Sequence, residues 1–189
     1  MRYLLILFFI LNQSGEKKVE NFIQASSDEK VIVEVIKEFK NSFPRIFVHV
    51  PDINPIYPGE KYKISSGVSS KRLHPIYNKY KAHNGIDIVA RKNAIVYAAA
   101  DGVVKKADFF NGAAGHSINI EHKYGFKTKY FHLSMIAVEP GEKIKKGEII
   151  GFLGNSGSST APHLHYELWK NGKVLNPIYF LPNKTSKKK

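Results

Sequence analysis

Two histidines one residue apart, His163 and His165, follow a loop of small residues from Gly154 to Ala161 that ends at Pro162. From there polar His163, His165 and Glu167 alternate with apolar Leu164, Tyr166 and Leu168, which is the period of a β-strand. Successive strand side chains point to opposite faces, so both imidazoles project from one face while the apolar set enters a core. Two imidazoles aimed at one spot suit a metal ion. Upstream, His83-Asn84-Gly85-Ile86-Asp87 supplies another imidazole and a carboxylate four residues apart. Imidazole nitrogen and carboxylate oxygen are donors that catalytic zinc accepts at about 2 Å, with three protein ligands and a fourth position left to water. His83, Asp87 and one histidine of the pair would complete such a set. The other histidine of the pair, and His132 in Lys129-Tyr130-Phe131-His132-Leu133-Ser134, would then be free for proton chemistry beside the metal.

An H-x-x-x-D cluster, a Y-x-H-L-S run and an S-T-x-P-H-L-H-x-E run, in this order, resemble the lysostaphin-type (LytM-like) zinc endopeptidases of bacterial cell walls. The likeness extends through Ile86 to Ile88, Val96 to Val104, Pro140 to Gly147 and Ile150-Gly151, and so covers roughly residues 62–182. It implies a fold: an all-β catalytic domain of mainly antiparallel sheets, with a groove and Zn2+ at its floor. It also implies roles, with His83, Asp87 and His165 as zinc ligands and His132 and His163 as catalytic imidazoles. Zinc lowers the pKa of a bound water to about 7 and polarises a scissile carbonyl. One imidazole would take the proton and the other would stabilise the oxyanion and protonate the leaving amine. Which of His132 and His163 does which is left open.

Other residues carry weaker signals. The family's S-G-F-G-x-R-x-H-P-like run survives as Ser66-Gly67, Arg72 and His74-Pro75, with Val68-Ser69 in place of an aromatic residue and a glycine. Arg91 to Ile95 replaces the usual P-x-G-T-P. His74 is a tempting extra ligand but reads better as a loop histidine, since three ligands already suffice. Tyr77 and Tyr80 read as packed loop tyrosines, with donation to the transition state as the alternative. Glu167 is read either as a partner that orients His165 or as a surface charge. His49, His116 and His122 are read as structural.

Positioning these groups requires strands. Ile95 to Ala99 and Val103 to Ala107 are expected to form a hairpin about Asp101-Gly102. Ile118 to His122 and Lys127 to His132 should pair around Tyr124-Gly125, and glycine turns should break Val138 to Gly151 into short strands. That last run also resembles biotinyl and lipoyl carrier domains, but Lys145-Lys146 lack the flanking residues of a modified lysine. Residues 15–60 read as a short α/β N-terminal segment and linker. Ser26 to Glu29 suggests a capping box for a helix from about Ser27 to Asn41, although its β-branched run would suit a strand. Pro44 should end that element, and a strand over Arg45 to Val50 should follow.

Residues 1–14 set one arginine before nine apolar residues, too few to span a bilayer but suited to a secretory signal peptide. The chain is therefore expected to be secreted or held in the cell envelope, in the periplasm or wall. Residues 61–182 are the catalytic domain and 183–189 a basic disordered tail. With no cysteine among 189 residues, thiolate ligands and disulfides are excluded. Residues 1–60 hold 7 Lys and Arg against 8 Asp and Glu, and the remainder 22 against 8. Such a field suits anionic cell-wall polymers, and no nucleic-acid-binding signature accompanies it. The expected substrate is peptidoglycan, cut in its stem peptides or cross-bridges. One rival is an inactive LytM-like domain that binds wall or regulates another hydrolase, but such domains are expected to lack ligands and none is missing. The other is an extracellular zinc peptidase acting on other peptides.

Overall fold

Strand β8 (Phe126–Ile136) shows why this sequence builds a sheet: Phe126, Thr128 and Tyr130 are buried while Lys127 and Lys129 between them reach the surface. The computed structural model describes residues 15–56, 60–73, 76 and 78–182. Its sheet runs in the order β1 (Lys63–Ser66), β4 (Ile86–Val89), β11 (Leu164–Lys170), β8, β7 (Gly115–His122), β6 (Gly102–Asn111) and β9 (Lys143–Ile144). Beside this path, β10 (Ile149–Leu153) pairs with β8 and with β5 (Ile95–Tyr97), and β12 (Lys173–Leu175) pairs with β11. The ladders are antiparallel, as expected for this all-β class. A separate ribbon, β2 (Ser69–Leu73) with β3 (Tyr80–His83), stands apart from that sheet.

One face of the sheet is mainly apolar. Ile86, Ile88, Tyr130, Leu164 and Tyr166 lie in the larger core. Farther along, Phe126, Leu168, Leu175 and Phe180 are covered by the N-terminal segment. That segment is helical: α1 (Gly15–Ala25), α2 (Glu29–Phe39) and the single turn α3 (Pro44–Phe47). Helix α2 forms despite its β-branched run because Ile32, Val35, Ile36 and Phe39 fall at helical spacing on the cluster. The cap differs from the expected box. Asp28, not Ser26, accepts from the amides of Lys30 and Val31, and Glu29 reaches out to accept from the Asn176 amide at 2.9 Å. No strand forms over residues 45–50. Pro44 opens a helical turn there instead of closing an element, since its fixed φ and missing N–H suit a first helical position.

The hairpin expected at Asp101-Gly102 is also absent. The strand β5 pairs with β10, while β6 departs to pair with β7 and β9. Asp101 is engaged otherwise, its carboxylate accepting the Lys146 amide at 2.8 Å. The β7–β8 pair and the glycine-broken strands β9 and β10 form where the sequence indicated. Lys146 buries its ammonium against the carbonyls of Phe47 and Val50 and the Asp52 carboxylate, which rules out Lys146 as a carrier-type modified lysine. Residues 1–14 and 183–189, with His74 and Tyr77, lie outside the described residues.

His122 is structural, as expected. Its Nδ1 is 2.9 Å from the Asp101 carbonyl and its Nε2 is 2.8 Å from Thr128 Oγ1. Burial pushes its pKa down from 6.5 to about 4. The unfolded chain therefore takes up this proton first, and the stability due to neutral His122 is complete above pH 6.5 and is lost as pH falls towards 4. The loss should amount to about 3 kcal/mol. Urea unfolding of wild type and His122→Gln across this range checks it: the variant's stability should fall less steeply with acid, and identical slopes would refute the assignment.

Candidate metal centre

The face of the sheet opposite the core carries the site. On β11, His165 stands between two cross-strand neighbours, Asp87 on β4 and Phe131 on β8. The Phe131 ring lies parallel to the imidazole, with centroids 5.4 Å apart, and fixes its plane. His83 enters from the end of β3, four residues before Asp87. Between them Gly85 is obligatory, because a Cβ there would lie 2.4 Å from the Tyr166 carbonyl oxygen and 2.9 Å from His165 Nε2.

Three atoms converge. His83 Nε2 is 3.0 Å from both Asp87 Oδ1 and His165 Nδ1, and His165 Nδ1 is 2.9 Å from Asp87 Oδ1. All three residues are buried, and together they could hold a metal ion. Their outer atoms explain what the inner ones offer. His83 Nδ1 lies 2.6 Å from the Gly67 carbonyl, and His165 Nε2 lies 3.3 Å from Glu167 Oε1. Each ring therefore places its proton outward and its bare lone pair inward. Two lone pairs and a carboxylate oxygen then face one another, an arrangement that a cation relieves. Ligands 2 Å from a tetrahedral ion stand about 3.3 Å apart, close to the spacing seen here. The donor set fits zinc.

The charges draw a cation to this spot, where a proton on His165 and a metal ion compete for the same atoms. Burial pushes the Asp87 carboxyl up, yet the two imidazoles against it, His165 and His83, outweigh this and hold it well below the usual carboxylate range. Burial pushes His165 down, and the Asp87 and Glu167 carboxylates, one beside each ring nitrogen, reverse this and raise it. Arg72 Nη1 donates to Ser66 Oγ at 2.6 Å and lies 3.3 Å from Asp87 Oδ2, steadying the second carboxylate oxygen.

His132 and His163 complete the pair of further imidazoles, with ring centroids 4.7 Å apart. His132 reaches this side against strand alternation, which would turn it away from Phe131's face. Its φ of 62° breaks the alternation within β8, and histidine tolerates that left-handed region better than most residues. The Ser156 carbonyl lies 2.8 Å from its Nδ1, and burial lowers its pKa to about 4, so the ring is neutral at pH 7 with Nε2 bare. His163 is held by the Ala161 carbonyl, 2.8 Å from its Nδ1, which leaves its Nε2 3.6 Å from Asp87 Oδ1. The loop after β10 supplies both carbonyls. It lies flush on the β6–β7 turn, where a Cβ at Gly157 would come within 2.4 Å of the Gly115 nitrogen.

All five residues singled out by spacing thus meet in one groove of about 540 Å³, whose walls include Lys81, Ala114 and Thr160. Glu167 is buried against His165 and is not a surface charge. Burial pushes its carboxyl up, but its bonds with His165, Lys129 and Trp169 bring it down to about 2. Tyr80 is 66% exposed, beneath the Lys71 ammonium, and is neither packed nor in the groove. His49 lies edge-on to Tyr124, and His116 meets Phe109 and Phe110 edge-on. The carbonyls of Gly67 and Ser156 had no side-chain signature to announce them. Phe131, by contrast, lies beside His132 in a run already flagged as a strand.

The family model of peptidase family M23 matches residues 81–177. Peptidoglycan DD-endopeptidase ShyC of Vibrio cholerae is 44% identical over 115 residues, covering 61% of this chain and 26% of that protein. A zinc-containing peptidase from Vibrio cholerae superposes with a TM-score of 0.59 at 34% identity, over 65% of this chain and 37% of that one. The catalytic domain of lysostaphin from Staphylococcus simulans does so with a TM-score of 0.55 at 29% identity, over 65% and 92%. The chain belongs to peptidase family M23. It spans 31% and 26% of the length of two curated relatives, so the likeness is one of a domain.

Proposed function

We propose that this chain is a zinc-dependent endopeptidase that hydrolyses peptide bonds in the stems or cross-bridges of peptidoglycan. The observation that carries the reading is the convergence of His83 Nε2, Asp87 Oδ1 and His165 Nδ1 within 3.0 Å, beside two more imidazoles. Zinc held by these three atoms supplies Lewis-acid polarisation of a carbonyl and acidification of water. The chain's own residues do the rest. His132 and His163, each anchored through Nδ1 to a loop carbonyl, present Nε2 to the groove. One accepts a proton from the attacking water and the other delivers one to the leaving amine. Residues 61–182 form the catalytic unit, and α1 to α3 brace the sheet from the opposite face. None of the described residues 15–56 lines the groove. The pattern of residues 1–14 supports export to the cell envelope, where the basic surface suits anionic wall polymers.

The test is mass spectrometry of directly cross-linked and glycine-bridged peptidoglycans after incubation with zinc-loaded protein, with a chelator control. New amine-ended fragments that vanish with chelator are expected, and they name the bond. Intact walls from a preparation with stoichiometric zinc would refute the wall substrate. Intact walls together with no bound zinc would leave a binding module.

A further inference from the structure

Residues 165, 167 and 169 alternate along β11 with core residues 164, 166 and 168, so Trp169 lies two positions beyond Glu167 on the site face. Its indole Nε1–H donates to Glu167 Oε2 at 2.7 Å. Lys129, the cross-strand neighbour of Glu167 on β8, places its ammonium 2.9 Å from the same oxygen and 4.3 Å from the centre of the indole ring. The three side chains fix one another. With Oε2 taken by an N–H and a cation, the carboxylate has Oε1 left for His165 Nε2, at 3.3 Å. The Glu167 side chain is only 7% exposed, so water is a poor substitute for a lost partner. Neither Trp169 nor Lys129 lines the groove.

We propose that Trp169 and Lys129 are positioning residues that lock the Glu167 carboxylate onto His165 Nε2 and thereby set how tightly the His83, Asp87 and His165 site holds its metal. The inference rests on the zinc reading above. His165 offers Nδ1 to the site only while Nε2 carries its proton towards a fixed acceptor. That acceptor orients the ring and makes Nδ1 the stronger base. An indole four residues along the strand from the ligand thus acts on metal affinity without touching the metal or substrate.

The experiment is a zinc affinity measurement by competition with a chromophoric chelator, on wild type, Trp169→Phe, Glu167→Gln and the double variant. Trp169→Phe keeps the ring and removes the N–H. It should weaken zinc about tenfold, and Glu167→Gln by about 10- to 100-fold. If Trp169 acts through Glu167, the double variant should match Glu167→Gln to within about twofold. Lys129→Gln, which leaves the indole in place, should weaken zinc in the same direction. Wild-type affinity in both Trp169→Phe and Lys129→Gln would overturn the proposal, as would losses that multiply in full in the double variant. A wild-type protein that binds no zinc would instead bring down the metal site itself, and that result appears before any variant is made.

Discussion

Asp87→Ala is expected to abolish zinc binding and hydrolysis together. Asp87 Oδ1 is the one anionic atom of the three that converge, 3.0 Å from His83 Nε2 and 2.9 Å from His165 Nδ1. Without it two imidazoles remain, and two nitrogen donors do not make the three-ligand set of a catalytic zinc. Loss of an outer partner alone weakens a metal by about 10- to 100-fold, so loss of this ligand should exceed that range. Equilibrium dialysis with metal analysis reads the result directly. Asp87→Asn is a close control, since it retains the shape and an oxygen donor but not the charge, and it should bind more weakly than wild type. An Asp87→Ala protein that kept one zinc per chain would show that the three atoms are not the ligands.

Why so much of the site was legible in the sequence, and some of it not, follows from how each residue is placed. His163, His165 and Glu167 share a face by strand alternation alone. The same rule extended by two residues reaches Trp169, so the outer clamp on Glu167 could have been found from spacing. The four-residue offset of His83 and Asp87 is less transparent. It works because β3 and β4 belong to different sheets and the chain turns at Gly85, against the Tyr166 carbonyl, with no room for a side chain. Backbone acceptors such as Gly67 and Ser156 depend on loops brought in from far along the chain, and any residue type supplies a carbonyl.

The N-terminal segment shows the opposite case, where local pattern competes with tertiary packing. The β-branched run of α2 and the sequence after Pro44 suit strands by propensity, yet both are helical because Ile32, Val35, Ile46 and Phe47 bury against Phe126, Leu168 and Phe180. Helix α1 leaves only a faint pattern in the sequence although Val19 and Ile23 fall at helical spacing, because only two of its residues are buried. Those two side chains bury in the core cluster, and polar contacts add to the helix's hold on the domain. Tyr124 donates its hydroxyl proton to Glu20 at 2.9 Å, and the buried Lys170 ammonium donates to the Gln24 carbonyl near the helix end. Such long-range polar contacts have no periodicity to betray them.

His132→Ala should separate chemistry from metal binding. His132 contributes none of the three converging atoms, so zinc should stay bound, while the loss of one of two proton-transferring imidazoles should lower kcat by about 10²- to 10⁴-fold. The backbone complicates the choice of variant. At a φ of 62° alanine is worse accommodated than histidine, so part of any loss could come from a relaxed bulge that moves Phe131 and with it His165. Asparagine tolerates this region, and His132→Asn should therefore hold the bulge while still lacking an imidazole. If His132 acts in proton transfer, both variants bind zinc as wild type does and both lose turnover to a similar degree. If its role is to shape the bulge, His132→Asn recovers most of the activity that His132→Ala loses. Zinc loss in His132→Asn would require His132 among the ligands and would overturn the set built on His83, Asp87 and His165.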